Sequence, residues 1–158
     1  MTKKKSTKNW LGKHTKDKYV KLSQASGYRS RAFHKLFDID KKYKLIKSAK
    51  NILELGSSPG SWSEYIVRNF RDKNLVAIDT IIMEPIQNVH FINGDINNPE
   101  DRKKISQIIK SADLVLSDIA PNITGIDDVD QANFVEIFDS IVILCSDLLK
   151  TKGILVMK

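Results

Sequence analysis

Apolar positions along this chain follow two alternating rhythms, one suited to buried strands and one to helices. Phe33, Leu36 and Phe37 fall at helical spacing behind Ser30, which predicts a helix with Ser30 as N-cap. Arg31 and Lys35 lie four apart on a face away from that stripe. Asn51-Ile52-Leu53-Glu54-Leu55-Gly56 reads as a short buried strand running into a Gly/Ser/Pro turn. Trp62, Tyr65, Ile66 and Phe70 return to helical spacing, and Leu75 to Asp79 forms a second strand. Val89 to Ile92 is a weaker third strand. Asn98, with Pro99 behind it and Asp101 in the first turn, starts a helix that buries Ile105, Ile108 and Ile109. Asp113 to Ser117 is a fourth strand, followed by a loop with Gly125 and three acids, Asp127, Asp128 and Asp130. A long amphipathic helix then carries Phe134, Ile137, Phe138, Ile141, Cys145 and Leu148 on its apolar side. Gly153 is expected to stop it, and Ile154 to Met157 to form the fifth strand.

Strands alternating with helices indicate βαβ units, and hence a doubly wound α/β fold with a parallel sheet. The chain's 158 residues suffice for one such domain and show no internal repeat. The longest apolar run, Ile141 to Cys145, is far too short to cross a bilayer. The Lys-rich N-terminus has no apolar stretch behind it and does not read as a secretory signal. A single cysteine, Cys145, allows no internal disulfide, which fits a cytoplasmic location. Charge divides the chain. Residues 1–50 hold 16 Lys/Arg against 3 Asp/Glu, whereas residues 51–158 hold 10 against 16. A basic N-terminal third on an acidic body suits phosphate neutralisation, and so nucleic acid. For residues 1–8, a solubilising Lys tail fits equally well.

In doubly wound sheets, ligands sit beyond the C-terminal ends of the strands. Each unusual loop here falls at such an end. The loop from Glu54 to Trp62 has neither a G-x-G-x-x-G fingerprint nor a G-K-[ST] ending, which disfavours nucleotide hydrolysis. Gly56 and Gly60 would admit a ligand close to the backbone, although an ordinary strand-to-helix turn also uses glycine. Asp79 ends the second strand 23 residues after Gly56, where an acid can accept both hydroxyls of an adenosine ribose. Asp95 follows the third strand and is placed to accept from an adenine amino group. Either aspartate alone could be a turn cap. Together they describe a pocket for adenosine without phosphates, which S-adenosylmethionine fits better than NAD or ATP. His14, His34 and His90 are dispersed, so no metal site is expected.

Four segments carry a family resemblance. Tyr28-Arg29-Ser30-Arg31-Ala32-Phe33-His34-Lys35-Leu36 resembles the R-S-R-A-x-x-K-L segment of the FtsJ/RrmJ-type ribosomal RNA ribose methyltransferases. Leu55-Gly56-Ser57-Ser58-Pro59-Gly60-Ser61-Trp62-Ser63 is similar to their cofactor loop, and Ser117-Asp118-Ile119-Ala120-Pro121-Asn122 to their S-D-x-A-P-N motif. Gly153 to Lys158 matches the strand that carries their catalytic lysine. The match runs in register from about Trp10 to Lys158. It implies a Rossmann-like, S-adenosylmethionine-dependent methyltransferase domain over residues 29–158, preceded by residues 1–28 as a basic N-terminal arm. From the charge balance of residues 1–50, that arm is expected to supply most of the RNA affinity, helped by the arginines flanking Lys35. The resemblance also implies a Lys-Asp-Lys-Glu tetrad, three members of which map onto Lys35, Asp118 and Lys158. The fourth lies beyond residue 158, and the sheet is expected to be truncated after its fifth strand. The cofactor contacts implied are Gly60, Trp62, Asp79, Asp95 and Asp118.

The activity implied is 2′-O-methylation of a uridine ribose in the A-loop of 23S rRNA in the large ribosomal subunit, by a monomer with no membrane partner. A ribose hydroxyl is a weak acid, so a base must take its proton as the new bond forms. Lys35 and Lys158 converging on one site would lower a lysine's pKa by like-charge repulsion, with Asp118 orienting Lys158. Taken singly, Lys35 reads as a solvated helix residue, Lys158 as a frayed terminus and Trp62 as a packing residue. A tRNA 2′-O-ribose methyltransferase and a catalytically impaired RNA-binding remnant are the alternatives.

Overall fold

The computed structural model describes residues 27–121 and 123–158. The basic arm therefore lies almost wholly outside the described residues. Ten elements follow: α1 (Phe33–Tyr43), α2 (Leu45–Ser48), β1 (Asn51–Leu55), α3 (Ser61–Asn69), β2 (Asn74–Asp79), β3 (Val89–Asn93), α4 (Pro99–Ile108), β4 (Ala112–Ser117), α5 (Asp127–Leu148) and β5 (Leu149–Met157). The strands form one parallel sheet in the order β3-β2-β1-β4-β5. The order reverses between β1 and β4, which opens a crevice above their C-terminal ends.

Period-two alternation gives the sheet two apolar faces. Leu53, Leu55, Val76, Ile78 and Val115 pack beneath α4 and α5 with Ile105, Ile141 and Leu144. Ile52, Leu75, Leu114 and Leu116 pack beneath α1 and α3 with Leu36, Trp62 and Ile66. The same alternation puts Glu54, Asp118 and Lys158 on the α1/α3 side, in step with Ile52, Leu116 and Val156.

Local chemistry explains most boundaries. Asn98 caps α4 through its side-chain oxygen, which accepts from Glu100 N at 2.9 Å, with Pro99 in the first turn. Other expectations shift. Ser30 lies ahead of α1, which begins at Phe33; its hydroxyl accepts from Ala32 N at 3.2 Å and hydrogen-bonds Ser61 Oγ at 2.7 Å. The residue read as a cap thus ties the α1 approach to the start of α3. Helix α5 ends at Leu148, and β5 begins at once at Leu149, four residues ahead of Gly153. Residues 150–153 bulge between the pairings Ala112–Leu149 and Leu114–Ile154. A Cβ on Gly153 would sit 2.6 Å from Leu149 Cδ1 and 2.9 Å from the Lys150 carbonyl, so glycine is needed for that fold-back. Phe134 and Phe138, expected in the core, are about half exposed; Ile141, Leu144 and Leu148 are the buried positions of α5. Among the described residues, no helix is long and apolar enough to cross a membrane.

At the opposite end of the sheet, Asp113 ties three strands together. Its carboxylate accepts from Lys50 N at 2.9 Å, Asn51 N at 2.8 Å and Lys150 Nζ at 2.6 Å. The Asn51 amide and then the Lys150 ammonium hold its pKa down to about 2. A carboxylate lowered in the folded state stabilises above its unfolded pKa and stops doing so as pH falls through the folded value. Asp113→Ala should therefore cost about 2 kcal/mol of unfolding free energy at neutral pH, by urea titration. The difference from wild type should shrink as pH falls from about 4 towards 2.

Candidate active site

The crevice is built from the ends of β1, β2 and β4. At Gly56 the chain turns out of β1 with φ +75°, and an added Cβ would lie 2.7 Å from Ile119 Cγ1. Asp79 fastens the next turn: Oδ2 accepts from Ser58 N and Oδ1 from Ile81 N, both at 2.8 Å. A second lone pair on each oxygen remains for a ligand. Asp95 turns back on itself, accepting from Asn97 N at 2.9 Å, and its own amide donates to buried Asp101 at 3.0 Å. The Lys104 ammonium and the Asp95 amide keep Asp101 below the usual carboxylate range. Asp79, Asp95 and Asp118 wall one cavity of about 330 Å³ together with Gly56, Ser58 and Ile119. A nucleoside with an amino-acid tail fits that volume and those acceptors.

Two sequence-derived contacts stand elsewhere. Gly60, with φ +102°, faces away from this cavity, towards Met83, Ile86 and Arg29. Trp62 is buried, its Nε1 donating to the Ala32 carbonyl at 2.7 Å, and it borders a smaller cavity of about 20 Å³. Glu54, Gly56, Ser58 and Asp118 also wall that smaller space.

The three residues matched to the tetrad converge. Lys35 Nζ donates to both oxygens of Asp118, at 3.0 and 3.1 Å, and Lys158 Nζ lies 3.2 Å from Oδ1. Asp118 is held at the top of β4 by its amide, which donates to the Leu55 carbonyl at 3.2 Å. Lys158 is held by its own amide, which donates to the Ser117 carbonyl at 3.2 Å and extends the β4–β5 ladder by one rung. Two ammonium groups on one carboxylate leave a positive surplus, which favours loss of a proton from one. Desolvation, then the neighbouring Lys158, lower the pKa of Lys35. Lys35, then Asp118, raise that of Lys158. Of the two lysines, Lys35 is thus the one whose charged form is less favoured.

Lys35 owes its position to contacts the sequence did not reveal. Arg29, counted there among RNA-binding arginines, sends its guanidinium to three carbonyls: Glu84 at 2.7 Å, and Pro59 and Pro85 at 3.1 Å. Its amide donates to Glu64 at 3.0 Å. With the Ser30–Ser61 and Trp62–Ala32 bonds, this clamps the start of α1 onto the glycine turn. Glu54 also went unremarked. It is a fully buried acid on β1 whose carboxyl oxygen Oε2 accepts from Ser63 Oγ. An acid inside an otherwise apolar strand was the available signal. Among the described residues, no group of three or more His, Cys, Asp or Glu could hold a metal.

A crevice of about 330 Å³ at the switch point of a doubly wound sheet, with two lysines joined on one of its wall carboxylates, stands where α/β folds bind their ligands. Residues 28–158 match the family described as FtsJ-like methyltransferase. The chain belongs to this family. A ribosomal RNA large subunit methyltransferase E from Janthinobacterium sp. (strain Marseille) is 40% identical over 167 residues, covering 100% of this chain and 78% of that protein. The protein of the same name from Pelagibacter ubique (strain HTCC1062) is 46% identical over 131 residues, covering 82% of this chain and 64% of its own length. Among solved structures, a ribosomal RNA methyltransferase from Plasmodium falciparum superposes with TM-score 0.75 at 33% identity, covering 82% of this chain and 77% of that one.

Proposed function

We propose that this chain catalyses S-adenosylmethionine-dependent 2′-O-methylation of a uridine ribose in the A-loop of 23S rRNA, in the large ribosomal subunit. The observation that carries this reading is the meeting of Lys35 and Lys158 on Asp118, a carboxylate in the wall of the nucleoside-sized cavity. The names of the relatives supply the substrate class. Asp79 would accept from the cofactor's ribose hydroxyls, Asp95 would face its adenine, and Gly56 gives the close approach that a Cβ would block. Backbone around Gly60 and Trp62 is a further contact implied by the resemblance. The cofactor supplies an electrophilic sulfonium methyl.

The chain's own residues then manage one hydroxyl. Asp118, shared by both lysines, fixes their direction. The neutral amine of the pair accepts the ribose proton as the oxygen becomes nucleophilic, and its neighbour's ammonium stabilises the developing negative charge. Residues 29–158 form the methyltransferase domain in this reading, and residues 1–28 the RNA-binding arm of a monomer. The arm's affinity for RNA should fall steeply with salt, and neutralising its lysines should flatten that slope.

The test is methyl transfer from labelled cofactor to large ribosomal subunits, with free tRNA as competitor. Label on a uridine 2′-oxygen of 23S rRNA is the expected result. Label on tRNA alone would move the reading to a tRNA ribose methyltransferase, and RNA binding without transfer would reduce the chain to an RNA-binding module. Asp79→Asn should weaken cofactor binding about tenfold, because it removes a charged acceptor worth ~1.5 kcal/mol or more. Its RNA affinity should stay unchanged. Unaltered cofactor affinity in calorimetry would remove Asp79 from the pocket.

A further inference from the structure

Glu54, a buried acid beside the crevice, is left unused by this mechanism. It sits in the middle of β1 between Leu53 and Leu55, paired in register with Ala77 and Leu116, and is 1% exposed. Its partner is a neutral hydroxyl, Ser63 Oγ, on α3. Among the described residues it forms no ion pair with a lysine or arginine. Asp79 at the end of β2 and Asp118 at the end of β4 both press negative charge on it. Lys35 on α1 and Lys158 after β5 are taken up by Asp118. Asp40 on α1 is engaged by Ile46 N at 3.0 Å and Tyr65 Oη at 3.1 Å.

Glu54 nevertheless borders a small cavity of about 20 Å³. It walls the smaller cavity, whose other walls include Gly56, Ser58 and Asp118, and these three also wall the larger one. Glu54 therefore lies behind the Gly56–Ser58 turn and Asp118, which separate it from the larger cavity. A buried carboxyl without a countercharge keeps its proton; a cation brought against it favours the ionised form.

We propose that Glu54 carries a proton in the cofactor-free protein and releases it when the cationic cofactor enters, so that binding is coupled to the loss of one proton. This rests on the reading that S-adenosylmethionine is the cofactor. Burial first, opposed by the Ser63 hydroxyl and reinforced by Asp79 and Asp118, pushes the Glu54 pKa up to about 8. At neutral pH the cofactor-free acid is thus mostly neutral, and the cation of the ligand provides what the fold omits. Glu54 acts here as a positioning residue: once ionised, it attracts the cofactor's positive tail from behind that turn.

The experiment is calorimetry of S-adenosylmethionine binding to the full chain, in buffers of different ionisation enthalpy and at several pH values. Wild type should release about one proton per cofactor near neutrality, and its affinity should rise about tenfold per pH unit up to about 8, then level off. Glu54→Gln should bind with a flat pH dependence and no Glu54-linked release. If both proteins release the same number of protons, the proposal is overturned. Absence of any cofactor binding by wild type would instead overturn the cofactor reading, and this inference with it. A second measurement needs no variant. Infrared difference spectra of wild type should show a protonated-carboxyl C=O band lost on binding, and persistence of that band would overturn the proposal.

Discussion

Lys35→Met and Lys158→Met should each slow methyl transfer by about 10²–10⁴-fold, the range for loss of a positioned general base, while leaving cofactor affinity nearly unchanged. Neither lysine walls the larger cavity, so the two effects are separable. Asp118→Ala should lose both, because Asp118 borders the cavity and directs both ammonium groups. The pH profile distinguishes base chemistry from simple packing. In wild type the rate should climb as the pair sheds its proton, at a pH below that of an ordinary lysine, because burial and the Lys158 ammonium lower Lys35. In Lys158→Met that second cause is gone while Asp118 still favours the charged form, so the residual rate should shift to higher pH. Single-turnover rates across a pH series would read both effects. An unshifted profile in Lys158→Met would show that the lysines do not share a proton.

The sheet was legible because its signals are local. Runs such as Leu75 to Asp79 and Asp113 to Ser117 are apolar on both faces, as a parallel strand covered by helices must be. Asn98-Pro99 starts α4 through one side chain and one ring. What failed to show depends on tertiary contacts. The start of β5 is set by its pairing with β4 across a bulge, which no property of Leu149 to Gly153 announces. Phe134 and Phe138 continue a helical stripe, yet periodicity identifies a stripe without identifying what covers it. Counting charges treated Arg29 as part of a basic surface, whereas its guanidinium is bound by three carbonyls from distant loops.

The candidate site divides in the same way. Asp79 and Asp95 stand at strand ends, where topology brings them together, so the strands sufficed to relate them; Asp118 walls the same cavity, but the family resemblance singled it out. The meeting of Lys35 and Lys158 needed the family resemblance, since nothing local to a helix and a terminal strand relates them. Glu54 was visible only as an interruption of an apolar run. Its meaning depends on which groups surround it in three dimensions.

Gly56→Ala should lower stability by ~2–3 kcal/mol and cofactor affinity by roughly 10²-fold. Two causes combine. At φ +75° an L-residue pays ~1–2 kcal/mol for the left-handed backbone. The added Cβ would also lie 2.7 Å from Ile119 Cγ1 and 3.0 Å from Ile119 N, so the loop that carries Asp118 must retreat. Gly125 separates the causes. It too has a positive φ, +85°, but a methyl group there would meet nothing within 4 Å. Gly125→Ala should therefore cost only the backbone strain and leave cofactor binding intact. Thermal melts and calorimetry on the two variants, side by side, read the difference. Equal losses in both would mean that backbone strain alone governs the turn. A loss of affinity confined to Gly56→Ala would show that the close approach of β1 to the Asp118 loop is what shapes the crevice.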